Sequence, residues 1–230
     1  GSGLTDVILE DGITKIAQGL FAGCENLTEI SIPESVTEIG YKAFDGCNSL
    51  SNVKLPKNLT TLGEKTFGDC VALKEIEIPK SLTTIDYYSF SVDYGPFYGS
   101  GLEKAFLAYD MREVPQYLLD GCADLREVDI PYTVEKIDDC AFRNCTSLTN
   151  IELPDAVTDI GYSAFSGCAG LTSIDLPDAL TNIGSYAFKG CTGLTSIELP
   201  DALMSIGSSA FQDCTAFRTI IWPNNFYSRL

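Results

Sequence analysis

The 230-residue sequence contains no histidine, and its 15 basic residues are outnumbered by 32 acidic ones, which leaves a formal net charge of −17. The absence of histidine removes the commonest general base, the usual member of a catalytic triad and the His-containing zinc sites. The negative charge argues against nucleic acid or an anionic membrane surface as a partner. No apolar run approaches the roughly 20 residues that cross a bilayer, so we expect no membrane insertion.

The composition is that of a folded chain, because 45% of the residues are hydrophobic and 20% are charged, which is too apolar for a disordered protein. The opening Gly-Ser-Gly is typical of a cloning remnant, so residues 1–3 are set apart from the fold. We therefore expect one domain over residues 4–230, and no targeting signal within this sequence.

The dominant feature of the sequence is a repeat of 23 residues. Most units contain a segment of the form L-x-x-I-x-L-P, whose prolines stand at 33, 56, 79, 131, 154, 177, 200 and 223. Two further units lie between 79 and 131, and one of them is longer by six residues, which we place within 91–101. Internal repeats of this length predict a solenoid, in which each unit forms one coil and stacking builds a continuous core.

Within each unit the apolar residues before the proline alternate with period two, which predicts a short strand that ends at the proline. Ten such segments occur, so we expect a parallel sheet of about ten strands. The remainder of each unit is too short and too rich in glycine for a long helix. The glycines at one shared corner are predicted to need a positive φ, namely Gly40, Gly63, Gly161, Gly184 and Gly207.

The repeat unit resembles the BspA-like, Treponema pallidum class of leucine-rich repeats. Residues 171–193, LTSIDLPDALTNIGSYAFKGCTG, match its pattern almost letter for letter, and the resemblance runs through the chain from Leu4. It implies a β-rich repeat solenoid with a concave parallel β-sheet and short convex segments that are non-helical or 3-10. It also implies a secreted or cell-surface protein associated with adhesion, and it carries over no catalytic residues. The pattern is lost at residues 91–119.

Eight of the nine cysteines occupy one offset of the repeat and should form a row along the stack. Neighbouring thiols in such a row lie close enough for a disulfide, but one residue type at every coil favours buried, reduced thiols that serve packing. A single row cannot surround an ion, so we predict no metal site. Cys140 lies off the row and is the best candidate for a modifiable thiol, with an ordinary half-buried residue as the favoured alternative.

The outward positions of the predicted concave sheet are rich in acids. Those we predict to bind a ligand are Glu75, Glu77, Glu127, Asp129, Glu152, Asp175 and Glu198. The last four fall in consecutive coils at one offset, where stacked like charges ordinarily destabilise a sheet. Either this is a solvated polar face that keeps the protein soluble, or it is a docking stripe for a basic partner or for Ca²⁺, which prefers oxygen ligands.

The enlarged unit holds nine of the 24 aromatic residues within 31 positions. Only Phe90 is expected to fill the aromatic position of the repeat. The aromatic residues predicted to contribute to a binding site are Tyr94, Phe97, Tyr98 and Phe106, because exposed aromatics next to an acidic face are typical of a binding hot spot. The alternative is that the loop folds back and covers the gap in the stack.

These observations predict a non-catalytic interaction or adhesion module that binds a protein or glycan on host or neighbouring cells, as a monomer and without a cofactor. A spacer that displays another domain is the alternative. A carboxylate-based glycosidase is a remote third option, since acids in adjacent coils lie near the separation of a retaining pair.

Overall fold

The computed structural model describes residues 3–87 and 94–223. Over these residues the chain forms a β-solenoid of about nine turns without any α-helix, so the predicted repeat solenoid is confirmed. Within the same ranges, no helix reaches the length and apolar character that a bilayer crossing requires.

Most coils contribute two short strands, one that ends near the proline and one in the T-x-I-G segment. In chain order the strands are β1 (Lys15–Ile16), β2 (Glu29–Ser31), β3 (Glu38–Ile39), β4 (Asn52–Lys54), β5 (Thr61–Gly63), β6 (Glu75–Ile78), β7 (Thr84–Asp86), β8 (Lys104–Leu107), β9 (Glu113–Val114), β10 (Glu127–Asp129), β11 (Lys136–Ile137), β12 (Asp159–Ile160), β13 (Asn182–Ile183), β14 (Ser196–Glu198), β15 (Ser205–Ile206) and β16 (Thr219–Ile221).

The strands before the prolines form the predicted parallel ladder, but it is divided into three groups. These groups are β2–β4, β6–β8–β10 and β14–β16. In the coils between β10 and β14, the chain buries Ile151 and Ile174 at the strand position without forming a strand. That interruption coincides with the run of like charges from Asp129 to Glu198, where direct opposition of acids weakens strand pairing. We call the outward surface of this ladder the strand face.

A second parallel ladder was not predicted. It consists of β1–β3–β5–β7 and β9–β11–β12–β13–β15, which lie on either side of the enlarged coil. Most of these strands are only two residues long, and two residues are too few to show a period-two pattern in the sequence.

The rest of each coil is a run of tight turns that also joins the coils. In the coil that contains Phe44, the N–H groups of Lys42, Phe44 and Gly46 donate to carbonyls of the next coil at 2.8–3.0 Å. The N–H groups of Ala43 and Asp45 donate at 3.2 Å to the carbonyl three residues earlier. This alternation satisfies the backbone donors without a helix.

The corner glycines do not have a positive φ, so that prediction is wrong for Gly40, Gly63, Gly161, Gly184 and Gly207. Their backbone lies against the preceding coil instead. A Cβ on Gly184 would stand 2.5 Å from the carbonyl carbon of Gly161, and one on Gly207 would stand 2.1 Å from the nitrogen of Ser185. These positions need glycine because of close approach rather than backbone conformation.

The left-handed conformation occurs at two other positions of the coil, four residues apart. Tyr186 and Gly190 illustrate the pair, with φ values of 59° and 72°. The second position is held by Asn144 and Asp213 in other coils, at a φ of 61° each. Asn and Asp tolerate this conformation better than other side chains do.

The core is built from columns of identical residues. Stacked phenylalanine rings from Phe21 to Phe97, and again from Phe142 to Phe211, have centroids 5.2–5.5 Å apart in successive coils. Buried Leu119 lies between the two stacks in chain order. Such a column buries each ring only if the neighbouring coil supplies the next one.

The enlarged coil joins this column through Phe97, not through Phe90. Phe97 is fully buried and stacks on Phe67 with a centroid distance of 5.5 Å, while the Phe67 N–H donates to the Pro96 carbonyl at 2.7 Å. The prediction of Phe97 as an outward binding residue is therefore wrong, because the ring fills the position that the stack requires. Phe90 itself lies outside the described residues.

The hydrogen bonds between the enlarged coil and the coil before it show where their register changes. The Glu64 N–H donates to the Asp86 carbonyl at 2.8 Å, with the spacing found in regular coils, whereas the Lys65 N–H donates to the Gly95 carbonyl at 3.1 Å. The register between the two coils therefore changes between Asp86 and Gly95, a stretch that overlaps the start of the predicted segment 91–101, and residues 88–93 within it lie outside the described residues. Ser100 then occupies the place of the missing row cysteine.

Replacing Gly184 by Asn should lower the free energy of unfolding by at least about 2 kcal/mol, because the new Cβ would meet backbone that cannot move away easily. Gly190→Asn is the matched control and should cost less than about 1 kcal/mol, because Asn tolerates a positive φ. Urea denaturation of both variants measures the difference. Equal losses would contradict the close-approach explanation.

Phe97→Ala should destabilise the protein by about 3–5 kcal/mol, as expected for truncation of a buried phenylalanine. Phe165→Ala, within the regular part of the column, should cost a similar amount. Tyr109→Ala is the control, since Tyr109 is 76% exposed and should change stability by less than about 0.5 kcal/mol. A loss as small as the control's would show that Phe97 is not part of the core.

Candidate functional site

The strand face carries two columns of outward side chains that the ladder holds in register. In one column Lys104 pairs with Glu75 on one side and Glu127 on the other, and in the second Phe106 pairs with Glu77 and with Asp129. The residues between the two columns are buried in β6 and β8 and half-buried in β10, so the column residues are directed away from the core. Lys104 Nζ lies 2.5 Å from Glu127 Oε1, and the Lys104–Glu127 pair thus neutralises one of the acids.

The seven acids predicted to bind a ligand are all exposed. They are Glu75, Glu77, Glu127, Asp129, Glu152, Asp175 and Glu198. Four of them, Asp129, Glu152, Asp175 and Glu198, follow one another at the same offset of consecutive coils, and none of the four forms an ion pair with another described residue. This part of the strand face is therefore a continuous stripe of negative charge.

Depressions occur on the described part of the strand face where the ladder is interrupted, and two of them contain predicted site residues. The smaller, about 530 Å³, lies over the junction between β4 and β6 and includes Glu75, Glu77 and Phe106. The larger, about 990 Å³, lies beside β14 and β16 and includes Asp175, Glu198 and Trp222. Five of the predicted site residues thus line concave parts of this surface.

Two of the predicted aromatic residues, Tyr94 and Tyr98, do not join this surface. Tyr94 and Tyr98 are half-buried, with ring centroids 4.3 Å apart, and Lys65 Nζ lies 5.0 Å from each ring. Lys65 also approaches Asp69 at 3.7 Å. The structure therefore separates the predicted residues into a strand-face group that includes Phe106 and a cation–aromatic cluster in the turns.

A buried ion pair anchors the enlarged coil, and sequence reasoning missed it. The fully buried carboxylate of Asp120 accepts hydrogen bonds from Arg143 Nε at 2.8 Å and Nη2 at 2.9 Å, and from the Gly95 N–H at 3.3 Å. The Arg143 guanidinium lies 5.1 Å from the ring centre of Tyr117. Because a buried carboxylate is costly without its partners, this pair has a structural role in holding the returning loop. Its only sequence signal is an acid and an Arg one period apart.

The cysteine row is a row of hydrogen-bonded thiols. All nine cysteines are free. In most of the row, Sγ lies 3.1–3.2 Å from the carbonyl oxygen of the aromatic or leucine residue of the preceding coil, as for Cys47 on Phe21 and Cys168 on Phe142. That carbonyl also accepts the backbone N–H of the cysteine in its own coil. The thiol therefore serves packing and hydrogen bonding together.

Burial makes these thiols poor nucleophiles. It raises the pKa of Cys47 from an ordinary value of 9.0 to about 11, and it raises those of Cys70 and Cys191 further still. Cys140, our candidate for a modifiable thiol, is fully buried, and its pKa is raised to about 11 by the same cause. Since the thiolate is the reactive form, the interpretation of Cys140 as a modifiable residue is wrong.

The acids of the strand face are spread along columns rather than gathered around a point. Within the described ranges, no three carboxylates or thiols converge in a way that could hold a metal ion, so the geometry offers no support to the calcium hypothesis. Asp175 and Glu198 are exposed, whereas the acid of a glycosidase is kept protonated by a buried, apolar setting. The arrangement is suited to surface recognition.

Comparison with known protein families identifies the same type of repeat. The profile of the family described as BspA type leucine rich repeat region (6 copies) matches residues 1–95 and 96–228, so the chain belongs to this family. Comparison with curated protein sequences finds no match.

Solved structures show the same architecture. A leucine-rich repeat protein from Bacteroides ovatus is 33% identical over 94% of this chain, with a TM-score of 0.66, and this chain spans 60% of its length. A leucine rich cell surface protein from Faecalibacterium prausnitzii is 27% identical over 94% of this chain and 72% of its own, with a TM-score of 0.56. The pneumococcal vaccine antigen PcpA shares the fold at 21% identity and a TM-score of 0.59, over 94% of this chain and 56% of its own.

The raised thiol pKa values predict a loss of stability at alkaline pH. Below the ordinary value of 9.0 both states hold the thiol proton, but between 9.0 and about 11 only the unfolded state releases it. Unfolding therefore becomes easier as the pH rises, by up to about 1.4 kcal/mol per pH unit for each thiol. Urea denaturation at pH 8, 9 and 10 measures the slope.

The matched variant for this measurement is Cys47→Ala/Cys140→Ala, which removes two of the titrating thiols. Its stability should fall less steeply between pH 8 and 10 than that of the parent, because two thiols that lose their proton only on unfolding are absent. An unchanged slope would contradict the assignment to these thiols.

Proposed function

We propose that this chain is a non-catalytic interaction module of a secreted or cell-surface protein, which adheres to a protein or glycan on host or neighbouring cells through the strand face. The family supports a repeat interaction module in general. A similar solved structure is described as a cell surface protein, which supports the location. The partner and the binding surface are our own assignment.

The observation that carries the proposal is the composition of the strand face. Seven exposed acids and the half-buried Phe106 are arranged in columns with the spacing of the coils. The stripe from Asp129 to Glu198 opposes like charges, and it coincides with the loss of ladder pairing, so it weakens the sheet instead of stabilising it. Cationic groups of a partner would relieve this repulsion, and the net charge of −17 would steer such a partner towards the surface.

The enlarged coil contributes less to this proposal than the sequence indicates. Phe97 is part of the core, and Tyr94 and Tyr98 pack around Lys65. Their half-exposed edges form a secondary contact in our proposal, separate from the strand face. Binding should therefore depend chiefly on the acids and on Phe106.

Reversing the charge of Asp175 and Glu198 to Lys should weaken binding to a panel of immobilised host-matrix proteins and cell-surface glycans by at least about tenfold at low salt, because two attractive charges become repulsive. The parent's binding should weaken with added NaCl. Surface plasmon resonance on the full chain measures both effects, and thermal melting checks that the variant is folded.

The matched control is Glu25→Lys/Asp124→Lys, which changes the net charge equally at exposed turn positions away from the strand face. It should leave binding within about twofold of the parent, since the local surface is unchanged. If both variants weakened binding equally, the change in net charge alone would explain the loss, and the assignment of binding to the strand face would be wrong. A parent chain that binds no member of the panel would favour the spacer alternative.

A further inference from the structure

The smaller depression of the strand face lies over a break between two strand groups. β4 and β6 lie in adjacent coils, but they belong to separate groups of the ladder. The depression above them measures about 530 Å³, within the range of small-ligand sites. Its lining consists of Ser51, Asn52, Val53, Lys54, Leu55, Glu75, Ile76, Glu77 and Phe106.

Two residues of opposite charge, Lys54 and Glu77, line this depression. Lys54 and Glu77 are one 23-residue period apart, as are Lys104 and Glu127. The second pair closes to 2.5 Å, whereas no ion pair within the described residues involves Lys54 or Glu77. Both Lys54 and Glu77 are exposed, so an ammonium donor and a carboxylate acceptor are available at the same depression.

An aromatic ring forms one wall of the depression and apolar side chains form its floor. Phe106 is half-buried at an outward position where the paired strands carry Glu77 and Asp129. Val53 and Ile76 are 8% and 2% exposed and lie beneath the polar rim. The site therefore combines an apolar surface with donors and acceptors of both charges.

We infer that this depression binds a neutral pyranose unit of a glycan, an inference that rests on the interaction function proposed above and names its ligand class. Each sugar hydroxyl both donates and accepts, so adjacent hydroxyls can bridge Glu77 and Lys54. The apolar C–H face of the ring can pack on Phe106, as apolar surface does on an aromatic side chain. A basic peptide is disfavoured by Lys54, and an anionic group is disfavoured by Glu75 and Glu77.

The test measures binding of the full chain to multivalent conjugates of glucose, galactose, mannose and N-acetylglucosamine by biolayer interferometry. At least one conjugate should bind saturably. Phe106→Ser should weaken that binding by about tenfold or more, through loss of the apolar wall. Serine is the residue that the equivalent position of β2 carries, Ser31, so the variant should fold, and thermal melting verifies this.

Lys54→Met and Glu77→Gln should each weaken the same binding by roughly five- to tenfold, because each removes a charged hydrogen-bonding partner. Asp124→Asn is the matched control, as it changes an exposed acid in a turn away from the strand face, and it should bind like the parent. As an independent readout, the amide NMR signals of Val53 and Ile76 should shift on addition of the free sugar.

Three outcomes would overturn the inference: no conjugate binds the parent, Phe106→Ser binds as the parent does, or a lysine-rich peptide binds at this depression and the sugars do not. The proposed function fails by a different result, since it depends on matrix or cell-surface binding that is sensitive to Asp175 and Glu198. Adhesion without sugar binding would leave that function standing and remove only this inference.

Discussion

The hydrogen bonds between consecutive coils are the constraint on which the structure depends. Two parallel ladders and the alternating donors of the turns all join one coil to the next, and the phenylalanine and cysteine columns bury each side chain against its counterpart one coil away. A 23-residue coil cannot satisfy these groups alone. One repeated sequence pattern therefore serves every coil, and any departure from it must still meet the neighbouring columns.

The departures coincide with the surfaces that we propose to recognise a partner. Where the strand ladder is continuous, the outward residues pair across coils, as Lys104 does with Glu127. Where it is interrupted, depressions form and charges remain unpaired, as at Lys54 and Glu77. Loss of pairing between coils thus leaves unpaired polar groups beside an apolar floor, and a binding site combines polar and apolar groups in this way.

The enlarged coil shows how the columns override local sequence. Its aromatic residues resemble an exposed hot spot when considered alone, yet the stack needs one ring at this height and takes Phe97. The loop then returns through the Asp120–Arg143 pair. The ring that enters the column could not be predicted, because several aromatic residues were available at similar offsets. The ion pair could not be predicted either, because the proximity of its two residues depends on the register of the loop.

The sequence by itself determined the period, the solenoid, the buried columns and the acidic strand face, because these follow from alternation and from identical residues at identical offsets. Only the tertiary structure decided which ring enters the column, why Gly184 must be glycine, where the ladder breaks and which charges stay unpaired. Those features depend on distances of a few ångströms between coils, and a pattern of residue types specifies which residues are neighbours but not how closely they approach.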